Sequence, residues 1–374
     1  MAGPIRVLHV LNCLNCGGAE TMIMNLYRII NRRKIQFDFI VHVTDKCDYD
    51  DEILKMGGKI YHIPQFCGKN YFQYKKAWSM FLESHHEYKI IHGHLRSTAS
   101  IYMSIAKKYG CITIAHSHST CSRGNMLEQF IKNFLQLPIR YIADYLFACS
   151  DEAGKWLFGG KSAKANNYRV IKNAIDVEKY AFDEGKRNKM RKELNIQNKF
   201  VVGHVGSFTP PKNHRFLIEV FYEICKKNEN AILLLIGDGK LRMQIEKQIR
   251  VLGVQDKAIL TGVVSNVNDY MQAMDVFVFP SLFEGLPLAV VEAQASGLPC
   301  IISDVITDEV HVTPKIQPVS LSKRADEWAD IVVSVKNLDR ADVKHIIEKS
   351  GFDIREAVEK LASFYESIER KENL

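Results

Sequence analysis

Residues 200–213 read FVVGHVGSFTPPKN and residues 214–227 read HRFLIEVFYEICKK. The first seven residues form a β-rich apolar run that ends at Gly206, and the residues after the loop repeat apolar side chains at helical spacing. The same order opens the chain, where the run 5–11 precedes Gly17 and Gly18 and a helical stretch over 19–30. Each half of the chain therefore begins with a strand, a glycine loop and a helix.

Short β-rich runs alternate with longer helical stretches along the whole chain, which predicts mostly parallel sheets covered on both faces. The predicted strands are 5–11, 37–43, 60–63, 90–92, 112–116, 145–149 and 168–171 in the first half, and 200–206, 231–237, 258–260, 276–279 and 299–302 in the second. The predicted helices are 19–30, 71–83, 99–108, 127–144, 214–227, 241–252, 267–273, 288–296, 325–335 and an amphipathic 353–368.

The length of 374 residues corresponds to two domains at about 100–200 residues per domain. A polar stretch, 183–199, separates the two halves and contains a charged helix. We therefore predict an α/β fold of two Rossmann-like domains that face each other across a cleft, one over 1–180 and one over 181–352. The helix near the end of the chain could pack on either domain.

The composition is that of an ordinary globular protein, with 47% hydrophobic and 25% charged residues. The sequence contains no run of about 18 apolar residues, which is the length needed to span a membrane, and no signal peptide is evident. We therefore expect a cytoplasmic protein whose nine cysteines are free thiols. Cys13 and Cys16 have CxxC spacing, so a redox or metal role stays open as an alternative to a plain loop.

The positive charge is concentrated in the first half. Residues 1–180 contain 24 Lys and Arg against 15 Asp and Glu, whereas the whole chain has a net charge of +7. A basic half fits nucleic acid, an acidic membrane surface or a phosphorylated substrate, and charge alone does not choose among them. Because no helix-turn-helix, zinc finger or aromatic-basic RNA signature is present, we expect no nucleic-acid partner.

Two glycine loops are candidates for binding phosphate. Gly17 and Gly18 stand at a strand-to-helix turn, where the helix N-terminus offers free N–H groups to an anion. Gly206 begins the second loop, and Lys212 ends it just before a helix, where a cation is locally unfavourable but useful against a diphosphate. A plain turn and a surface lysine are the alternatives.

The most informative stretch is 279–293, FPSLFEGLPLAVVEA. Glu292 lies inside an apolar helix, where a carboxylate is costly unless it accepts hydrogen bonds. The vicinal hydroxyls of a ribose would supply them. Glu284 lies in the loop before the helix, so both carboxylates could meet one ligand at the carboxyl end of strand 276–279, where open α/β sheets bind ligands. A solvated glutamate pair is the alternative.

The histidines form two close pairs, His92 with His94 and His116 with His118, each at the end of a predicted strand. No pair stands at metal-ligand spacing on a helix. We therefore predict no metal, with a zinc site drawn from both pairs as the alternative.

The spacing from Glu284 to Glu292, with Glu-Gly-Leu-Pro between, resembles the retaining glycosyltransferases of family four, which have the GT-B fold. The resemblance covers nearly the whole chain, and the sequence is most similar to bacterial capsule and exopolysaccharide transferases. The other matching segments are Gly17–Glu20, His116–His118, Ala148–Ser150, Ile171–Asp176, Lys212–Asn213 and Ile236–Gly239.

The resemblance implies a role for each matching residue. Glu292 would bind the donor ribose, Glu284 the transferred sugar, and the amides of Gly285 and Leu286 sugar or phosphate. Lys212, in the loop that Gly206 begins, would clamp the diphosphate. Gly17 and Gly18 would lie beneath the donor phosphates or the acceptor. His116 would lie beside the sugar, with His118 as the second choice. Gly262 and Val263 would lie at the base, and Asn173 at the domain boundary.

The family also implies the overall activity. We expect retaining, metal-independent transfer from a nucleotide-diphosphate sugar, most simply a UDP-sugar, with no resident cofactor. The acceptor would be a glycan or a polyprenyl-diphosphate-linked glycan, and the terminal helix, 353–374, would pack on the first domain. The alternatives are a GT-B UDP-sugar epimerase and a non-catalytic nucleotide-sugar binding protein.

Two positions depart from the family pattern. Ser207 stands where an arginine commonly pairs with the diphosphate, and loss of that bidentate cation should weaken stabilisation of the leaving group. Arg215 or Lys240 could compensate. Ala174 replaces the usual glycine after Asn173, which reshapes that loop.

An amphipathic segment in the basic half, 123–145, carries Lys132 and Arg140. It could rest on an anionic leaflet and place the protein peripherally on the inner face of the plasma membrane. An ordinary core-facing helix is the alternative.

Overall fold

The computed structural model describes residues 3–15, 17–118, 133–336, 338–340 and 343–372. Its internal contacts divide the chain into two compact units, Met1–Ala174 with Ile354–Leu374, and Ile175–Asp353. The division falls after Ala174, whereas the sequence analysis placed it after residue 180. The polar stretch 183–199 is not a linker, because its helix belongs wholly to the second unit.

The first unit is built on a seven-stranded parallel sheet. Its strands are β1 (Ile5–Val10), β2 (Ile35–Val41), β3 (Ile60–His62), β4 (Ile90–Gly93), β5 (Ile112–Ser117), β6 (Tyr145–Ala148) and β7 (Tyr168–Val170). Its helices are α1 (Gly18–Ile29), α2 (Asp50–Lys55), α3 (Tyr71–Ser84), α4 (Ala99–Lys108), α5 (Ile139–Ile142), α6 (Asp151–Phe158) and the terminal helix (Ile354–Glu372). The strands lie in the order β3-β2-β1-β4-β5-β6-β7.

Helices cover both faces of this sheet, which explains why its strands are apolar almost throughout. Leu26 of α1 and Leu361 of the terminal helix share one core with β1 and β2. Trp78 of α3 and Tyr102 of α4 belong to the core on the other face. The terminal helix is thus part of the first unit.

The second unit is built on a six-stranded parallel sheet in the order β10-β9-β8-β11-β12-β13, whose strands are β8 (Phe200–Val205), β9 (Ala231–Ile236), β10 (Ala258–Leu260), β11 (Val276–Phe279), β12 (Cys300–Ser303) and β13 (Ile316–Val319). Its helices are α7 (Val177–Tyr180), α8 (Glu184–Glu193), α9 (His214–Lys227), α10 (Arg242–Val251), α11 (Val267–Ala273), α12 (Leu288–Ala295), α13 (Ala325–Ser334) and α14 (Lys344–Ile347). Arg187 and Arg191 of α8 form ion pairs with Asp275, which anchor that helix to this unit.

Helices α2, α6, α7 and α14 were not among the predicted helices, and two further elements also differ from the prediction. Strand β13 was missed because it contains Pro318, which cannot donate a ladder hydrogen bond and is tolerated here because β13 pairs only with β12 at the sheet edge. The helix predicted over 127–144 lies largely outside the described residues, within which helix covers 133–136 and 139–142. Among the described helices, none is long and apolar enough to cross a membrane.

Candidate active site

The sequence-predicted residues gather where the strand order of each sheet reverses. In the second unit this point lies between β8 and β11, and in the first between β1 and β4. The chain leaves such neighbouring strands in opposite directions, so a crevice opens at their carboxyl ends and binds ligands. Gly206 follows β8 and Glu284 follows β11, while Gly17 follows β1 and His94 follows β4.

Lys212 and Glu284 form an ion pair at the reversal point of the second sheet. The Lys212 Nζ atom lies 2.7 Å from Glu284 Oε1 and 4.6 Å from the ring centre of Phe279. The two side chains are only 16% and 15% exposed. The loops that carry them are joined directly, because the Leu282 N–H donates to the Pro211 carbonyl at 2.7 Å. A cation and a carboxylate are thereby held side by side, largely out of bulk water.

Glycine backbone lines the loops beside this pair. A Cβ on Gly206 would lie 3.0 Å from Lys212 Cε, and a Cβ on Gly237 would lie 2.1 Å from the Gly206 carbonyl oxygen. The Gly237 N–H donates to the carbonyl of Gly262, which has a φ of +73°. Side chains are therefore excluded where the loops after β8, β9 and β10 meet, and Val263 beyond them is exposed.

Ser207 leaves the site without the usual arginine. The Ser207 hydroxyl is exposed and lies 3.2 Å from Thr209 Oγ1. Arg215 does not replace the arginine, because its side chain is 86% exposed and pairs with Glu219 one turn along α9. Arg242 is a candidate that sequence reasoning missed. Its Nη1 lies 3.0 Å from Asp238 Oδ2 and would lie 3.8 Å from a Cβ on Gly262.

Glu292 is half-buried on the apolar helix α12. Burial raises the pKa of Glu292, while a hydrogen bond from Tyr180 and the charge of Lys179 act in the opposite direction. Burial also raises the pKa of Tyr180 well above its usual range, so its hydroxyl stays protonated and donates. Sequence reasoning expected a ribose to satisfy this carboxylate and missed Tyr180. In the same segment, a Cβ on Gly285 would meet open space, and Leu286 is half-buried.

The histidines of the first unit form two hydrogen-bonded pairs whose rings stack on each other. His92 Nε2 lies 3.0 Å from His116 Nδ1, and His94 Nδ1 lies 2.7 Å from His118 Nε2. Burial lowers the pKa of all four imidazoles, to about 3 for His118, so the rings are neutral near pH 7.

Two further residues complete this cluster and were missed by sequence reasoning. His9 Nδ1 on β1 lies 2.9 Å from His94 Nε2, and Tyr365 Oη of the terminal helix lies 2.6 Å from His92 Nδ1. Nothing in the local sequence marks either residue. Each could be identified only by knowing that its strand or helix packs against β4. The terminal helix therefore contributes directly to the orientation of His92 and, through it, of His116.

The carboxylate of Glu20 lies beside the glycine turn after β1. A Cβ on Gly17 would lie 2.2 Å from Glu20 Oε2, so the Glu20 side chain folds over the N-terminus of α1. Gly18 has open space where a Cβ would lie. Asn173 is half-buried, and its Oδ1 atom has no hydrogen-bond partner among the described residues. Cys16 lies outside those residues, so the CxxC pair is not described.

Both units match known glycosyltransferase models. Residues 16–179 match the model described as Glycosyltransferase Family 4, and residues 186–350 match the model described as Glycosyl transferases group 1.

Full-length relatives show the same relationship. The putative glycosyltransferase EpsF of Bacillus subtilis (strain 168) is 33% identical over 98% of each chain. The UDP-Gal:alpha-D-GlcNAc-diphosphoundecaprenol alpha-1,3-galactosyltransferase of Escherichia coli is 23% identical over 96% of each chain. The crystal structure of Anabaena Alr3699/HepE in complex with UDP has a TM-score of 0.78 at 17% identity, with 97% of this chain and 100% of that chain covered. The chain therefore belongs to glycosyltransferase family 4, has the GT-B fold and is a glycosyltransferase.

Proposed function

We propose that this protein is a retaining transferase that moves a sugar from a UDP-linked donor to a polyprenyl-diphosphate-linked or other glycan acceptor, in the synthesis of a capsular or exopolysaccharide. The single observation that carries the proposal is the Lys212–Glu284 pair at the reversal point of the second sheet. A diphosphate would take the lysine and a sugar would take the carboxylate, so the two halves of the pair match the two halves of the donor.

The reaction breaks the anomeric C–O bond to the diphosphate. Positive charge develops on the sugar and negative charge on the leaving phosphate, so fixed charges that match this pattern stabilise the transition state. Lys212 neutralises the phosphate side, and Arg242, beside Gly262, would supply the second cation that Ser207 does not. Glu284 orients the sugar, and the N–H groups of Gly285 and Leu286 donate to the donor.

Glu292 binds the donor ribose in this proposal. Tyr180 donates to its carboxylate, and an ionised carboxylate has room for several more hydrogen bonds. A ribose would supply hydroxyl donors that offset the cost of burying this charge. Gly262 and Val263 would meet the nucleotide base.

Retention and metal independence are parts of the same proposal. No second carboxylate is assigned to the opposite face of the sugar, so we propose front-face attack by the acceptor rather than a covalent intermediate. Lysine and helix N-termini neutralise the diphosphate without a metal. The E. coli relative is named for a UDP-Gal donor, an undecaprenol-diphosphate-linked acceptor and an alpha product, which supports this class of donor and acceptor.

The test measures transfer from radiolabelled UDP-sugars to lipid-linked glycan by wild type and by Lys212→Ala and Glu292→Ala. Each variant should lose about 10²–10³-fold in kcat/KM, the usual effect of removing one group that stabilises the transition state. Lys192→Ala is the matched control, because Lys192 is an exposed lysine of the second unit with no assigned role. Activity like wild type in both site variants would overturn the assignment. Nuclear magnetic resonance of the product gives the anomeric configuration, and an inverted product would overturn retention.

We also propose that the first unit rests on an anionic membrane surface while it takes the acceptor. Phe72 on α3 and Tyr141 on α5 are 84% and 82% exposed, and Lys75 and Lys76 stand beside Phe72. Helices α3 and α5 both pack on α4. Exposed aromatic rings interspersed with lysines suit the boundary between headgroups and acyl chains.

Flotation of the full chain with anionic and with neutral liposomes tests this contact. The wild type should float with anionic liposomes only, and Phe72→Ser with Tyr141→Ser should reduce the bound fraction. Absence of wild-type flotation would remove the membrane contact and leave the transferase assignment intact.

A further inference from the structure

We infer that His94, His116 and His118 bind a divalent transition metal ion of the Zn²⁺ or Co²⁺ class in the first unit. One ring nitrogen from each of the three lies within 4.8 Å of the others. Imidazole nitrogens are good ligands for these ions, and three histidines with an open fourth position form a common site. This inference goes beyond the proposed function, which places no metal on the diphosphate.

The sheet explains why the three rings converge. Strands β4 and β5 are neighbours in register, with His92 beside Ile114 and Gly93 beside Ala115. Residues two apart along an extended chain point to the same side of a sheet. The two histidine pairs therefore present their rings to one face, and ring centroids of His116 and His118 lie 4.1 Å apart.

Counting protons shows that the metal-free cluster leaves polar atoms unsatisfied. His9, His94 and His118 are linked by two N–H···N hydrogen bonds, but three neutral rings carry three N–H groups. Whichever tautomers form, one N–H at an end of this chain, on His9 Nε2 or His118 Nδ1, has no acceptor among the described residues. His116 Nε2 is also buried without a partner there.

A metal ion would give the buried His116 Nε2 a partner, while His9 Nε2 and His118 Nδ1 would both carry protons and keep no acceptor among the described residues. If His94 Nδ1, His118 Nε2 and His116 Nε2 bind the ion, the other ring nitrogens carry the protons. His94 Nε2–H then donates to His9, and His116 Nδ1–H donates to His92. Such hydrogen bonds from the far nitrogen of a ligand histidine orient the ring and fix its tautomer. The described residues contain two histidine groups that could hold an ion, and we choose this one because it contains the unpartnered His116 nitrogen.

The charges around the cluster set the expected strength of binding. The charge of Arg96 acts on His118. A cation beside the site opposes a second cation, so removal of the Arg96 charge should strengthen metal binding.

The experiment uses the full chain after treatment with a chelator. Titration with Co²⁺ should produce the visible absorption bands of four-coordinate Co²⁺, and equilibrium dialysis with Zn²⁺ should give one bound ion per chain. His118→Ala should weaken binding at least about tenfold, because a ligand is lost. His86→Ala is the matched control, since His86 is exposed and outside the cluster. Circular dichroism checks that each variant is folded.

Arg96→Gln tests the position of the ion while all three histidine ligands stay in place. We expect it to tighten Zn²⁺ binding about fivefold as a local positive charge is removed. Absence of Co²⁺ bands in the wild type, or binding by His118→Ala equal to wild type, would overturn the site. Unchanged or weaker binding by Arg96→Gln would place the ion away from His118 and would also overturn the assignment. Because the readout is metal binding, failure of the proposed transferase activity would not affect it.

Discussion

The Lys212–Glu284 pair should contribute a measurable coupling energy to the stability of the second unit, and each single substitution should be more harmful than the double one. With a separation of 2.7 Å and an effective dielectric constant of about 20, the direct attraction is about 6 kcal/mol. Most of that is offset by the loss of water from two side chains that are 16% and 15% exposed.

Each single substitution leaves one charged side chain without its partner. Breaking a fully buried pair by removing one partner costs about 3–5 kcal/mol, and the residual exposure here reduces this to about 2 kcal/mol for Lys212→Met or Glu284→Gln. The double variant leaves no unpaired charge and should lie within about 1 kcal/mol of the wild type. The expected coupling energy in the double-mutant cycle, the two single losses less the loss of the double variant, is therefore about 3–5 kcal/mol.

Hydrogen exchange along a urea series, detected by mass spectrometry in peptides from β8 and β11, reads the unfolding free energy of this unit separately from the other. Peptides from β1 and β2 serve as the internal control, because they belong to the first unit and should not change. A coupling energy below about 0.5 kcal/mol would refute the idea that the site holds a preformed cation–carboxylate pair.

Three further outcomes follow from the contacts of the two units. Because burial raises the pKa of Glu292, its contribution to stability is present at acid pH and is lost as pH rises through the folded-state pKa. Glu292→Gln should therefore raise the melting temperature at pH 8 more than at pH 4 by calorimetry, and equal shifts would contradict this sign. Gly237→Ala places a methyl group 2.1 Å from a backbone oxygen at a φ of +134° and should cost at least about 2 kcal/mol in urea unfolding, whereas Gly285→Ala, whose methyl meets open space, should be nearly neutral. Tyr365→Phe removes the hydroxyl that lies 2.6 Å from a His92 nitrogen and should destabilise the first unit by about 1–3 kcal/mol, so an unchanged urea midpoint would show that this contact is not made in solution.

Local patterns in the sequence were sufficient for the elements and for the candidate loops. Alternating strand and helix patterns predicted two parallel α/β sheets, because backbone hydrogen bonding restricts apolar side chains to periods of two and 3.6. The glycine loops, Glu284 and Glu292 were also identified locally, since their chemistry is unusual for their positions. Pro318 hid strand β13, because a local rule cannot tell that the strand lies at an edge.

The partners of those residues were decided only by the tertiary structure. Glu292 forms a hydrogen bond with Tyr180 of α7, and His92 forms one with Tyr365 of the terminal helix. These contacts depend on which strands are neighbours and which helices cover them, and strand order is set by the packing of the whole unit. The sequence by itself thus determined the elements and the reactive side chains, while the tertiary structure decided which of those side chains share a site.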